Sequence, residues 1–136
     1  MLESLARIQF HSEQQLVVWH PEGILDLALA TQVIDFLTFQ EKVLDEAFNR
    51  FANLEGVTEV HLTVVELNNL AARRRATYGD GPRVKSAFLA TSLACYGIAW
   101  LFSILMEKTP IEVQVFRQIE SAAKWLNVPE RLLQPE

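Results

Sequence analysis

The segment at about residues 92 to 108 constrains the fold more than any other stretch, because it is almost wholly apolar. Its longest nearly apolar run, Leu93 to Met106, has 14 residues and is interrupted by Gly97 and Ser103. A helix needs about 20 such residues to span a bilayer, so this run is too short for a transmembrane helix. We therefore predict a helix within a folded domain.

This helix carries apolar residues on more than one side. Leu93, Trp100 and Ile104 lie on a different side from Ile98. A helix that covers one face of a sheet then leaves apolar area exposed, and something should cover that area. The predicted interface is formed by Leu93, Tyr96, Trp100 and Ile104.

The sequence leaves three alternatives for this surface. The first is a second copy of the chain, because symmetric homodimers are the commonest closed assemblies. The second is a lipid surface or a small apolar ligand, although a net charge of -5 disfavours binding to anionic lipids. The third is an ordinary core helix, which the small residues Ala94, Cys95, Gly97 and Ala99 favour.

Composition narrows the class of protein further. The 136 residues fit one domain, residues 1 to 136, and the net charge of -5 argues against a nucleic-acid partner. The single cysteine, Cys95, excludes an intrachain disulfide and a multi-thiolate metal site. Met1 to Gln15 lacks the basic start and apolar run of a secretory signal. We expect a cytoplasmic location, peripheral at the membrane under the lipid alternative.

The first half of the chain shows strand and helix patterns in turn. The β-rich stretches at about Leu5 to Phe10 and Gln15 to His20 predict a hairpin. Asp26 is suited to cap a following helix, and Thr63 forms a capping box with Glu66 at the start of another. Between these helices, the segment 39–54 fits a helix and a strand equally well.

The second half alternates in the same way. Val84 to Ala90 reads as a buried strand, and Ile111 to Val115 as a strand solvated on one face. Ile119 to Leu126 returns to helical spacing, and the tail after Pro129 is predicted to be peripheral. Strands that alternate with covering helices predict a largely parallel sheet with an antiparallel hairpin at its start.

Six segments are informative together, because their order and spacing are more specific than any single motif among them. They are Phe48 to Leu54, Leu70 to Arg75, Ala87 to Ala90, Tyr96 to Ala99, Ile111 to Arg117 and Ala122 to Leu126. Over most of the chain, from Gly23 to Pro129, this arrangement resembles the SpoIIAA-like family of STAS-type domains. The resemblance implies an α/β fold of order β-β-α-β-α-β-α-β-α, with a mixed, mostly parallel five-stranded sheet and four main helices. It makes Phe48 to Leu54 a central strand.

The resemblance also bears on function. Anti-anti-sigma factors related to this fold are non-enzymatic switches with a phosphorylatable serine in the turn after the central strand. The comparable turn here, Asn53 to Val57, carries Glu55, which has no hydroxyl to phosphorylate. The resemblance implies a non-enzymatic STAS-like regulatory or protein-interaction module with an unidentified protein partner, and the apolar helix adds the expectation of a homodimer. The alternative is a membrane-associated domain that binds a lipid or another small apolar ligand.

A second candidate site lies where the carboxyl ends of parallel strands converge, because open α/β sheets tend to bind ligands there. The predicted ligand-binding residues are Asn53, Glu55, Thr91, Ser92 and Arg117. The start of the apolar helix exposes N–H groups suited to an anion, with Arg117 as a partner charge. The alternative is that Thr91 or Ser92 simply caps the helix.

The remaining chemically reactive residues give no catalytic or metal-ligating pattern. His11, His20 and His61 are far apart in sequence, and Cys95 lies in an apolar stretch where burial suppresses thiolate formation. Segment 73–75 holds three arginines in the last turns of a helix, where solvated cations favour the negative end of the macrodipole. We expect no metal, no cofactor and no enzymatic activity.

Overall fold

The computed structural model describes residues 7–135, and its main sheet starts with the predicted hairpin. Strands β1 (Ile8–His11) and β2 (Leu16–Trp19) pair antiparallel, with Ile8 opposite Trp19. The predicted first strand began at Leu5, and its start lies outside the described residues. All four residues of β2 are buried, because both faces of the sheet are covered: Leu16 and Val18 belong to one core cluster and Trp19 to another.

Two further strands form a separate parallel pair that the sequence patterns did not predict. They are β3 (Gly23–Asp26) and β5 (Val57–His61), with Asp26 opposite His61. A Cβ added to Gly56, just before β5, would lie 2.9 Å from the backbone oxygen of Pro21. The chain therefore passes closely enough here that only glycine fits without a shift.

Three parallel strands complete the main sheet. They are β4 (Asn49–Asn53), β6 (Val84–Leu89) and β7 (Ile111–Phe116), and the order across the sheet is β1-β2-β4-β6-β7. The central position of β4 confirms the choice that the family resemblance made for Phe48 to Leu54. The predicted mixed, mostly parallel five-stranded sheet is confirmed.

Four α-helices connect or follow these strands. They are α1 (Leu27–Val43), α2 (Val64–Tyr78), α3 (Leu93–Leu105) and α4 (Ile119–Leu126). Asp26 caps α1 by accepting a hydrogen bond from the Leu29 N–H, and Thr63 forms the predicted capping box with Glu66. The helix predicted at 92 to 108 ends sooner, at Leu105. Within residues 7–135, no helix is long and apolar enough to cross a membrane.

The helices cover the sheet unequally. Helices α1, α2 and α3 pack on one face, and α4 packs on the other with a 3-10 turn at Glu130–Leu133. Leu133 is fully buried and belongs to the same core cluster as Phe51 of the central strand. The prediction that the tail after Pro129 is peripheral is therefore wrong, because this turn closes the second face of the sheet.

The prediction of solvated arginines at the end of α2 is wrong for one of the three. Arg73 is exposed and pairs with Asp35, and Arg75 donates a hydrogen bond to the Leu105 carbonyl. Arg74 is instead 3 % exposed, because it points between α1 and α2 toward a carboxylate of α1, Glu41. It belongs to a buried ionic cluster.

Candidate functional site

The outer side of α3 is an exposed apolar stripe. Leu93 is 82 % exposed, Trp100 52 % and Ile104 42 %, and Gly97 lies between them on the same side. The opposite side of the helix is buried through Cys95 and Ala99. We call Leu93, Gly97, Trp100 and Ile104 the outer stripe. Three of the four predicted interface residues belong to it.

The fourth predicted interface residue, Tyr96, has a different environment. Its side chain is half-buried and packs against the core cluster under α3. The guanidinium carbon of Arg117 lies 4.2 Å from the centre of the Tyr96 ring, which is close enough for a cation–π contact. Tyr96 therefore joins the helix to the end of β7 and borders the outer stripe.

The predicted edge site is assembled from the carboxyl ends of the central strands. Asn53 at the end of β4 is in register with Leu89 at the end of β6, and Leu89 with Phe116 of β7. Asn53 is buried, and its Oδ1 accepts a hydrogen bond from the Glu55 N–H at 3.0 Å. Glu55 itself is exposed in the 3-10 turn Leu54–Gly56.

The other predicted edge residues also have local partners. The Ser92 hydroxyl caps α3 by accepting from the Cys95 N–H at 3.2 Å, while Thr91 is exposed beside it. Arg117 lies over Tyr96. The structure thus brings strand ends together as expected, but the Asn53, Ser92 and Arg117 side chains are engaged in structural contacts. Ligand binding at this edge stays a prediction.

The residues with metal-binding or nucleophilic chemistry lie apart. Cys95 is buried with its Sγ 4.0 Å from the Leu54 carbonyl oxygen, and His61 pairs with Glu59 on the surface. In the part of the chain that the structure describes, no group of three or more histidine, cysteine or acidic side chains is placed to hold a metal ion.

A buried ionic cluster is the feature that the sequence analysis missed. Glu41 of α1 accepts from Arg50 Nη1 of β4 at 3.0 Å and from Arg74 Nη1 of α2 at 2.9 Å. Arg50 is 6 % exposed and stacks on Phe48, with its guanidinium carbon 4.4 Å from the ring centre. One carboxylate thus holds two buried guanidinium groups together.

Burial shifts the pKa values of two residues at this cluster, Arg50 and Tyr78. Desolvation lowers the pKa of Arg50 to about 10, the Glu41 carboxylate opposes the decrease, and the Arg74 charge adds to it. Desolvation also raises the pKa of Tyr78, which borders both arginines. The cluster of Arg50, Arg74 and Glu41 holds two guanidinium groups and one carboxylate, an excess of one positive charge.

Arg50 and Arg74 of the cluster line a cavity of about 130 Å³ between the sheet and helices α1, α2 and α3. Most lining side chains are apolar, among them Trp19, Ile34, Phe88 and Phe102. The polar lining side chains are Arg50, Arg74 and Ser86. Arg50 is in register with Ser86 on the neighbouring strand, so the polar groups share one layer of the sheet.

The sequence contained signals for both arginines. Arg50 is separated by even numbers of residues from Phe48, Ala52 and Leu54, so a strand places it on the same face as these apolar residues. Arg74 lies three residues after Ala71 and four before Tyr78, so it continues the buried stripe of α2. Their common partner could not be found in the same way, because Glu41 meets them only through the packing of α1 on the sheet.

Comparisons with known proteins rest on structure alone. No protein-family model matches the sequence, and no curated protein matches it. A similar solved structure is the anti-sigma factor antagonist SpoIIAA in its unphosphorylated form, with a TM-score of 0.56 and 12 % identity. The similarity covers 88 % of this chain and 96 % of that one.

A second solved structure gives the same result. It is an uncharacterised protein of the DUF3478 family with a SpoIIAA-like fold, from Shewanella loihica, with a TM-score of 0.55 and 12 % identity. The similarity covers 88 % of this chain and 90 % of that protein. The chain therefore has the SpoIIAA-like, STAS-type fold, as the resemblance in sequence implied. Fold does not by itself establish what the protein binds.

Proposed function

We propose that this protein is a non-enzymatic regulatory module that acts by binding protein surfaces, and that it forms a two-fold homodimer through the outer stripe of α3. The observation that carries the proposal is the exposure of Leu93, Trp100 and Ile104 on one side of a helix. One similar structure is an anti-sigma factor antagonist, so the fold is compatible with regulation through another protein. We place the module in the cytoplasm.

The spacing of the outer stripe favours a second helix as its cover. Its four residues are separated by four, three and four positions, which is the pattern of a seam between two helices. Helix α3 contains no charged residue between Leu93 and Leu105, so two copies meet there without repulsion between like charges. Two copies of this surface can therefore pack together, even though the whole chain has a net charge of -5.

Gly97 supports close approach of a partner helix. Glycine in a helix interior costs about 0.5–1 kcal/mol relative to alanine. Among residues 7–135, nothing lies within 4 Å of a Cβ built at Gly97, so packing inside the chain does not require glycine here. In the proposed dimer, Trp100 of the second copy packs over Gly97, and the missing side chain lets the two helices approach closely.

Analytical ultracentrifugation at micromolar concentration tests the dimer. We expect the wild type to sediment as a dimer and Trp100→Glu as a monomer, because a charge in the buried centre of the interface has no partner. Val65→Glu is the matched control, since Val65 is 69 % exposed but belongs to a different helix, α2. It should leave the dimer intact.

Two results would contradict the proposal. A wild type that is monomeric at these concentrations removes the homodimer. A wild type that instead co-sediments with phosphatidylcholine vesicles, and loses this binding in Trp100→Glu, assigns the outer stripe to a lipid surface.

A second candidate function is the binding of a small apolar ligand, and the cavity under the three helices favours it. Its lining is largely apolar, as in ligand pockets that fix orientation with a few polar groups. We place this ligand in the cavity rather than at the strand edge, where Asn53, Ser92 and Arg117 already have local partners. Binding of toluene, followed by the fluorescence of Trp19 in the cavity wall, tests this function.

A further inference from the structure

The polar layer of the cavity has unmet hydrogen-bonding capacity. Arg50 lines the cavity, and its Nε has no hydrogen-bond partner among the described residues. The indole Nε1 of Trp19, another lining residue, is also buried and unpartnered within residues 7–135. Leaving a buried donor unsatisfied is costly, and more so when the donor is charged. An acceptor in the cavity would remove that cost.

The charge of the cluster specifies the kind of acceptor. Among residues 7–135, Glu41 is the one carboxylate that binds both Arg50 and Arg74, so a positive charge is left over beside the cavity. A neutral acceptor would satisfy Nε but not the charge. A carboxylate does both, because its two oxygens match the fork of N–H groups on one edge of a guanidinium.

The register of the sheet gives such a ligand a direction. Arg50 of β4 and Ser86 of β6 are neighbours in register. Two residues further along the strands, Trp19, Ala52 and Phe88 form the next layer on the same face of the sheet. Neighbouring layers on one face of a strand are about 6.6 Å apart. A ligand whose carboxylate lies in the Arg50 layer therefore extends an apolar group into the layer of Trp19 and Phe88.

The volume limits the apolar group. A dry apolar cavity of about 150 Å³ accepts benzene. At about 130 Å³, this cavity holds a group of similar size and is too small for a long acyl chain. The size favours a ring, or a compact chain of about six carbons.

We propose that the cavity binds a small monocarboxylate with one ring-sized apolar group, and that Arg50 receives its carboxylate. This inference rests on the second candidate function. Arg50 determines the class of ligand, and the apolar lining determines its size. Glu41 holds the Arg50 guanidinium through Nη1, and Arg74 in turn holds Glu41.

Calorimetric titration with three probes of similar size tests the inference. The probes are benzoate, its neutral counterpart benzamide, and toluene, with palmitate as a probe of excess length. We expect benzoate to bind at least ten-fold more tightly than benzamide, the order of effect of one charged hydrogen bond, and palmitate not to bind. Arg50→Met should abolish the preference for benzoate while toluene binding is retained, because its side chain is of similar length and Glu41 keeps Arg74 as its partner.

The outcomes distinguish the role of Arg50 from the apolar-ligand function of the cavity. Equal binding of benzoate and benzamide, unchanged in Arg50→Met, overturns the role of Arg50 but keeps the apolar-ligand function. No binding of benzoate, benzamide or toluene overturns both. Arg73→Met is the matched control, since Arg73 is exposed and pairs with Asp35 outside the cavity. It should bind benzoate like the wild type.

A measurement on the wild type keeps the inference testable if Arg50→Met does not fold. In a proton–nitrogen NMR spectrum, the Arg50 Nε–H resonance should shift as benzoate saturates the protein, because this N–H gains an acceptor. Benzamide should shift it less. An Nε–H resonance that stays in place at saturating benzoate would overturn the assignment of the carboxylate to Arg50.

Discussion

Replacing Glu41 by glutamine should destabilise the protein more than any surface substitution. Glu41 is 14 % exposed in its side chain and is the shared partner of Arg50 and Arg74, whose side chains are 7 % and 3 % exposed. Glutamine keeps the shape but removes the negative charge, which leaves two neighbouring buried cations. Removing one partner of a buried ion pair costs about 3–5 kcal/mol.

That loss is large compared with the total stability. A chain of 136 residues has a free energy of unfolding of roughly 7–20 kcal/mol, at 0.05–0.15 kcal/mol per residue. Equilibrium unfolding in urea at pH 7, followed by tryptophan fluorescence, should show a lower midpoint for Glu41→Gln. Asp35→Asn is the matched control, because Asp35 and Arg73 form an exposed pair worth about 0–1 kcal/mol.

A triple variant tests whether the loss of stability in Glu41→Gln comes from unpaired buried charge. Replacing Glu41 by leucine together with Arg50 and Arg74 by methionine removes all three charges while keeping similar volumes. Such replacements are often neutral or stabilising by about 1–4 kcal/mol, so the triple variant should be more stable than Glu41→Gln. A loss below about 1 kcal/mol in Glu41→Gln, equal to that in Asp35→Asn, would refute the view that this carboxylate neutralises buried charge.

Three further substitutions test other parts of the structure. Leu133→Ala should lower the free energy of unfolding in urea by about 2–5 kcal/mol, because Leu133 is fully buried. A loss near zero would show that the tail after Pro129 does not contribute to the core. Thr63→Ala should cost about 0.5–2 kcal/mol by removing the capping box of α2, and unchanged stability would show that the cap is dispensable. Gly97→Ala should raise the stability of dilute protein by about 0.5–1 kcal/mol yet weaken the dimer in sedimentation, and unchanged dimer affinity would contradict close approach at Gly97.

Local signals predicted most of the main architecture. The Thr63 and Glu66 pair marks a helix start because both hydrogen bonds of the capping box form within one turn. The alternation in β7 is equally local, since Glu112 and Gln114 point to solvent from an edge strand of the sheet. The position of β4, in contrast, came from the family resemblance, because its residues fit two periods.

The features that sequence patterns missed depend on contacts between distant segments. Strands β3 and β5 are four and five residues long and stabilise each other, so neither has a long enough pattern to be recognised alone. Leu133 shows its burial only when the 3-10 turn folds back on the sheet. The pairing of Glu41 with Arg50 and Arg74 joins two helices and a strand, and side-chain spacing within any one of them does not contain it.

Helix α3 lies between the two proposed binding surfaces, which makes their independence testable. Ile98, Ala99 and Phe102 line the cavity, while Trp100 is on the outer stripe. Because Trp100→Glu changes no cavity-lining side chain, the monomeric variant should bind benzoate with the affinity of the wild-type dimer. The measurement is calorimetric titration of both proteins under the same buffer conditions. If the variant binds benzoate ten-fold more weakly, the surfaces are coupled, and linkage then requires saturating benzoate to tighten the wild-type dimer by ten-fold for each of its two protomers. That result would contradict a rigid α3 and indicate that dimerisation positions this helix over the cavity.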